Sequence, residues 1–206
     1  LATGAPSTLG PEAASYWLYL GAGYGLWDGT SFSSPLIAGA AAVLKQARPG
    51  LTGPQYRSLL VNSSTKITGV DGKVPGVNTT GAGRLNLENA LKLPLSAEPL
   101  SLSFGGGSGD VNMTKTIKFT NLSGSDDVFS VAVDKLSGDA SIELGENTIS
   151  LAAGESKDLS VSVKGSGIAA GSQQGWLVLK GNKSDSEMRV AFWYGVRGSE
   201  PKDVSV

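Results

Sequence analysis

Asp28-Gly29-Thr30-Ser31-Phe32-Ser33-Ser34-Pro35-Leu36-Ile37-Ala38-Gly39 sets a hydroxyl-rich turn directly ahead of an almost wholly apolar run. A helix starting near Ser31 leaves its first backbone N–H groups unpaired and carries a partial positive charge at that end. The Ser31 hydroxyl therefore lies beside donors suited to a developing oxyanion, as serine acyl transfer requires. Pro35 is expected in the first turn, where its missing N–H costs no intrahelical bond, and Gly39 admits a close backbone neighbour. The helix expected from about Ser31 to Ala47 is apolar on every side through Leu36, Ile37, Ala38, Ala40, Ala41, Ala42, Val43 and Leu44, a pattern that predicts burial all round. Arg48-Pro49-Gly50 stops it.

Upstream, residues 1 to 30 read as loops and short strand-like pieces, with Tyr16, Trp17, Tyr19, Tyr24 and Trp27 crowded together. Packing accounts for such aromatics, and so does the lining of a substrate cleft that leads to Ser31. Downstream, Thr52 and Gln55 form a capping box for a second helix carrying Tyr56, Leu59, Leu60 and Val61, and a short third helix is expected near Leu87 to Lys92. Leu93-Pro94-Leu95-Ser96-Ala97-Glu98-Pro99 is proline-punctuated and loses helical periodicity, so it divides residues 1–96 from residues 97–206. Beyond it the apolar period becomes two, in Ile117/Phe119, Phe129/Val131/Val133, Leu159/Val161/Val163, Trp176/Val178 and Met188/Val190/Phe192/Tyr194, each run bounded by Gly, Asn, Asp or Ser. Short strands so spaced, without cysteine, predict an antiparallel immunoglobulin-like or fibronectin-like β-sandwich.

The segment Gly29-Thr30-Ser31-Phe32-Ser33-Ser34-Pro35-Leu36-Ile37-Ala38-Gly39 resembles the GTSxxxPxxxG nucleophile segment of subtilisin-like serine peptidases, the subtilases, with Ser31 at the nucleophile position and Gly29, Thr30, Pro35 and Gly39 supporting the match. Leu1-Ala2-Thr3-Gly4-Ala5-Pro6 is similar to a degraded AAPG-type segment that precedes the nucleophile in that family. Leu51-Thr52 with the helix after it, and Gly81-Ala82-Gly83-Arg84-Leu85-Asn86, resemble the family's closing helices and its GxGRxN-type turn. The resemblance covers residues 1 to about 93 and implies the C-terminal part of an α/β subtilisin-like catalytic domain. It further implies a secreted endopeptidase acting on protein or peptide substrate, with Ser31 attacking and its backbone N–H in the oxyanion hole. The β region, through Asn121 and the turn Leu151-Ala152-Ala153-Gly154-Glu155-Ser156, is similar to accessory sandwiches that follow many bacterial subtilase domains.

The chain has no histidine. A serine hydroxyl without a general base is a poor nucleophile, so the 206 residues alone are expected to be inactive. The family's aspartate, histidine and oxyanion asparagine precede the serine, which makes a missing N-terminal part the expected partner. Self-association through the apolar helix is the other expectation for a chain so divided, and a non-catalytic scaffold or binding sandwich is the alternative function.

Composition narrows the rest. Net charge is −1, from 17 basic and 18 acidic residues, which offers no field for nucleic acid. Without cysteine or histidine any metal would be a hard, oxygen-bound ion. Asp126-Asp127 and Asp139/Glu143/Glu146 supply oxygens for calcium, and solvated turn carboxylates are the plainer reading. Leu36 to Leu44, the longest apolar stretch, is too short to span a bilayer. Sequons at Asn62, Asn78, Asn112, Asn121 and Asn182 carry weight only in a eukaryotic secretory route.

Overall fold

The computed structural model describes residues 2–3, 19–20, 24–25 and 29–198, with only the backbone of those before 29. The expectations for Leu1-Ala2-Thr3-Gly4-Ala5-Pro6 and for the side chains of Tyr16, Trp17, Tyr19, Tyr24 and Trp27 therefore lie outside the described residues, apart from the backbone of Ala2, Thr3, Tyr19 and Tyr24. The chain divides into two compact units between Ala42 and Val43.

In the first unit, β1 (Ala2–Thr3), β2 (Tyr19–Leu20) and β3 (Tyr24–Gly25) form a small antiparallel sheet with β3 in the middle. Helix α1 (Thr30–Ala47) follows and runs across the division. Gly29, with φ of 138°, makes the turn into it. The position of Pro35 and the burial of α1 both depart from what the sequence predicts. Pro35 lies past the first turn, so the bond its N–H would have given to the Ser31 carbonyl is missing. The helix is also not buried all round: Phe32, Leu36, Ile37 and Val43 are exposed, and only Ala40 and Leu44 are buried. An all-apolar helix needs neighbours on every side, and the described residues do not supply them.

Among the described residues, the second unit contains α2 (Gly53–Asn62), α3 (Val77–Thr80), α4 (Leu87–Lys92) and nine strands. Thr52 caps α2 as the sequence predicts: its Oγ1 accepts from the Gln55 N–H at 3.4 Å and its own N–H donates to Gln55 Oε1 at 2.8 Å. Asn86 Oδ1 caps α4 by accepting from the Asn89 N–H at 2.9 Å. The strands are β4 (Leu95–Glu98), β5 (Ser101–Gly107), β6 (Val111–Asn121), β7 (Asp127–Ser137), β8 (Ser141–Leu144), β9 (Thr148–Leu151), β10 (Ser156–Gly165), β11 (Gly171–Gly181) and β12 (Glu187–Val196). They make a four-stranded sheet, β4-β6-β10-β8, and a five-stranded sheet, β5-β12-β11-β7-β9, antiparallel except where β5 runs parallel to β12.

One face of each sheet supplies the core. Ile117, Phe119, Leu159, Val161 and Val163 come from the four-stranded sheet, and Phe129, Val131, Met188, Val190, Phe192 and Tyr194 from the other. Those alternations match the sequence. The one read at Trp176/Val178 is out of phase: Leu177 and Leu179 pair with Val190 and Met188 and take the core side, leaving Trp176 on the opposite face. Trp176 is nevertheless only 2% exposed, because the chain between α2 and α4 covers that face. A strand buried on both faces is apolar at successive positions, so its sequence carries no phase.

Asn121, wholly buried, closes the loops at one end of the β region. Its amide donates to the carbonyls of Ser125, Leu151 and Ala152, and its Oδ1 accepts from the N–H and hydroxyl of Ser123. Asn62 is equally buried, so neither sequon is open to a glycan in this fold. Around the expected boundary, Leu93, Leu95 and Ala97 are buried and β4 pairs with β6, so the proline-rich stretch is sealed into the unit.

Candidate active site

Ser31 is the second residue of α1 and is exposed. The Phe32 and Ser33 N–H groups both donate to the Gly29 carbonyl, at 3.1 and 3.2 Å. The N–H groups of Thr30 and Ser31 lie ahead of the first intrahelical bond and have no acceptor within the helix, at its positive end. Pro35 releases the Ser31 carbonyl from the helical ladder as well. Thr30 and Ser31 thus share the first turn, Pro35 sits one turn on, and Gly39 lies beyond it. Among the described residues, no atom comes within 4 Å of the place a Cβ at Gly39 would occupy. With histidine absent from the chain, the described geometry offers a hydroxyl at a helix N-terminus but no imidazole base.

The glycine-rich turn has a structural role that its motif alone does not reveal. Thr65 and Arg84 exchange N–H to carbonyl bonds at 2.8 and 2.9 Å, and a Cβ at Gly83 would sit 2.2 Å from the Thr65 carbonyl oxygen. The φ of 121° at Gly83 independently favours glycine. Asn86 then ties this bridge to α4 by donating from Nδ2 to Thr65 Oγ1 at 3.1 Å. Arg48, which follows α1, donates to the Leu93 carbonyl at 2.7 Å, and burial lowers its pKa from the ordinary guanidinium value. Neither contact was legible as a role, since both depend on residues distant in sequence.

The carboxylates offered for calcium do not converge: among the described residues no three potential metal ligands come together. Asp127 accepts from the N–H groups of Val128 and Asn182 at 2.8 and 3.2 Å, and Asp126 from that of Ala153 at 3.0 Å. Glu143 pairs with Lys164 at 2.6 Å and Glu146 with Lys157 at 2.7 Å. A cleft of about 200 Å³ between α2, α3 and the β5–β12 edge is lined by Val61, Val77, Leu102 and Trp193, among others. No titratable side chain lines it, so it holds no acid–base chemistry. No described helix is long and apolar enough to cross a membrane.

Residues 9–87 match the model of the subtilase family. The minor extracellular protease Vpr of Bacillus subtilis is 39% identical over 101 residues, which cover 47% of this chain and 12% of that protein. Subtilisin BL of Lederbergia lenta is 35% identical over 74 residues, covering 36% of this chain and 25% of its own length. An extracellular serine protease of Serratia marcescens is 38% identical over 79 residues, or 37% and 7% of the two chains. The matched region therefore spans a quarter or less of each of these relatives. The similarity to the subtilase family thus lies in residues 9–87, which include the serine-bearing turn, α1 and the glycine-rich turn.

Proposed function

We propose that this chain is the nucleophile-bearing closing part of a secreted subtilisin-like serine endopeptidase, followed by an immunoglobulin-like or fibronectin-like accessory sandwich. The observation that carries the reading is the exposed Ser31 in the first turn of an apolar helix, within the region matched to the subtilase family. Ser31 Oγ attacks the carbonyl carbon of a peptide bond in protein or peptide substrate, and the Ser31 N–H donates to the oxyanion that forms. Gly29 and Thr30 set the turn, Pro35 frees the backbone behind the nucleophile, and Gly39 keeps one face of the helix open. The base that removes the Ser31 proton, the acid that orients it and a second oxyanion donor come from outside these residues, since the chain has no histidine. The exposed side chains of Phe32, Leu36, Ile37 and Val43 support the same reading, because several large apolar side chains left in water on one helix mark a surface that another chain segment covers. The extracellular proteases among the relatives support secretion, and the two largely antiparallel sheets support the sandwich assignment.

For the 206 residues by themselves, the lack of histidine favours a second reading, a non-catalytic scaffold. One experiment separates the two. A serine-directed phosphonate is expected to label Ser31 in the full-length peptidase and to leave the 206-residue chain unlabelled and without turnover. Labelling of another residue in an active full-length protein would refute the assignment of Ser31.

A further inference from the structure

We infer that the β region and the subtilase-derived segment from α2 to α4 complete each other's packing, so that the two form one cooperative body and the sandwich is not a detachable appendage. Each helix in the segment is short, with 10, 4 and 6 residues in α2, α3 and α4. Helices below about 12–15 residues are marginal in water without packing. Their polar side chains are completed by the strands. Asn62, 1% exposed, donates both amide hydrogens across the junction, to the Leu100 and Arg189 carbonyls, each at 2.9 Å. Its Oδ1 accepts from the buried Ser58 hydroxyl at 2.9 Å, and Ser58 Oγ in turn accepts from the Ala97 N–H at 2.7 Å. Gln174 Oε1 accepts from the Val77 N–H at 2.9 Å, and Asn89 Nδ2 donates to the Glu187 carbonyl at 3.1 Å.

The dependence runs the other way as well. The outer face of the five-stranded sheet carries Trp176, which is sealed by Lys66 with its ammonium 4.6 Å from the ring centre and paired with Asp134. Arg189, on the neighbouring strand, donates to the Ser64 carbonyl. Without the α2–α4 segment the indole and these charged groups lose their cover. Without the strands Asn62 and Ser58 lose their partners, and buried polar groups without partners are costly. Neither half is complete alone, which is the physical condition for a single transition.

The inference borrows from the proposed function only the name of the segment. Its test reads folding and not catalysis, so the two can fail separately. Pulse-labelling hydrogen exchange of the full 206-residue chain across a urea series would follow amides of α2 and α4 beside those of β6 and β10. The two sets are expected to lose protection at one midpoint. Asn62→Ala and the milder Lys66→Met should move both midpoints down by equal increments. Complete loss of protection in both sets for Asn62→Ala counts for the proposal. Loss confined to α2 and α4, with β6 and β10 unmoved in the native chain or either variant, would overturn it.

Discussion

Leu36 and Leu44 stand about two turns apart on α1, yet Leu36 is 69% exposed and Leu44 is fully buried. The same contrast separates the N-terminal reach of α1 from the second unit, where Trp176 on the outward face of a sheet is sealed as tightly as the core. Apolar sequence states a demand for burial and leaves open which surface meets it. In α2–α4 and the strands, nearby chain meets that demand. In α1 the face around Phe32, Leu36 and Ile37 stays open, at the end of the helix that presents Ser31.

The largest effect tests the exposed end. In the full-length peptidase Ser31→Ala is expected to lower kcat by at least about 10⁴-fold, because the remaining groups retain only residual catalysis. Ser33→Ala, whose hydroxyl bonds back to the Gly29 carbonyl at 3.4 Å, should leave turnover within about tenfold, since this weak local bond is not part of the chemistry. Equal losses in steady-state assays of the two variants would dissolve the distinction.

The leucine pair breaks the comparison by stability. Leu44→Ala should cost the 206-residue chain about 2–5 kcal/mol in urea unfolding, as for other buried leucines. Leu36→Ala should cost less than about 0.5 kcal/mol, as expected for an exposed site. A large cost at Leu36 would show that its face is covered in solution, and light scattering would then tell whether a second copy covers it.

Glycines sharpen the contrast next. Gly83→Ala drives a Cβ against the Thr65 carbonyl at a positive φ, and a loss of about 2–3 kcal/mol is expected by thermal unfolding. Gly39→Ala meets open space in a helix interior and should be neutral or stabilising by up to about 1 kcal/mol.

The smallest effect is one of pH. The Gly167 N–H, followed by the Ser166 hydroxyl, holds the Asp110 carboxyl below its ordinary pKa. A lowered folded-state pKa adds stability that is present above the unfolded value and is lost as pH falls through the folded one. The melting difference between the native chain and Asp110→Asn should therefore shrink as pH drops from about 5 to about 2. A difference that grows with acidity would reverse the assignment.

Much of the architecture was legible because it is written in local rules. The Thr52–Gln55 box and the stop after Ala47 depend on a few consecutive residues, and α1 ends and α2 begins where those signals put them. The single-faced strands were legible for a similar reason, since alternation in Leu159/Val161/Val163 or Met188/Val190/Phe192/Tyr194 records one wet face and one dry face. The candidate nucleophile came from a short motif. The mate of Gly83 and the partners of Arg48 did not, because each is fixed by a residue far along the chain.

The sequence by itself determined where α1, α2, α4 and the alternating strands β6, β7, β10 and β12 form, which serine heads the apolar helix, and that no histidine accompanies it. Only the tertiary structure decided the phase of β11, the sealing of Leu93 to Ala97, and the exposure of Leu36 beside the burial of Leu44. Capping and periodicity are set by backbone bonds among near neighbours. Burial is set by whatever packs from the other side, and at Trp176 and Asn62 that surface belongs to chain distant in the sequence.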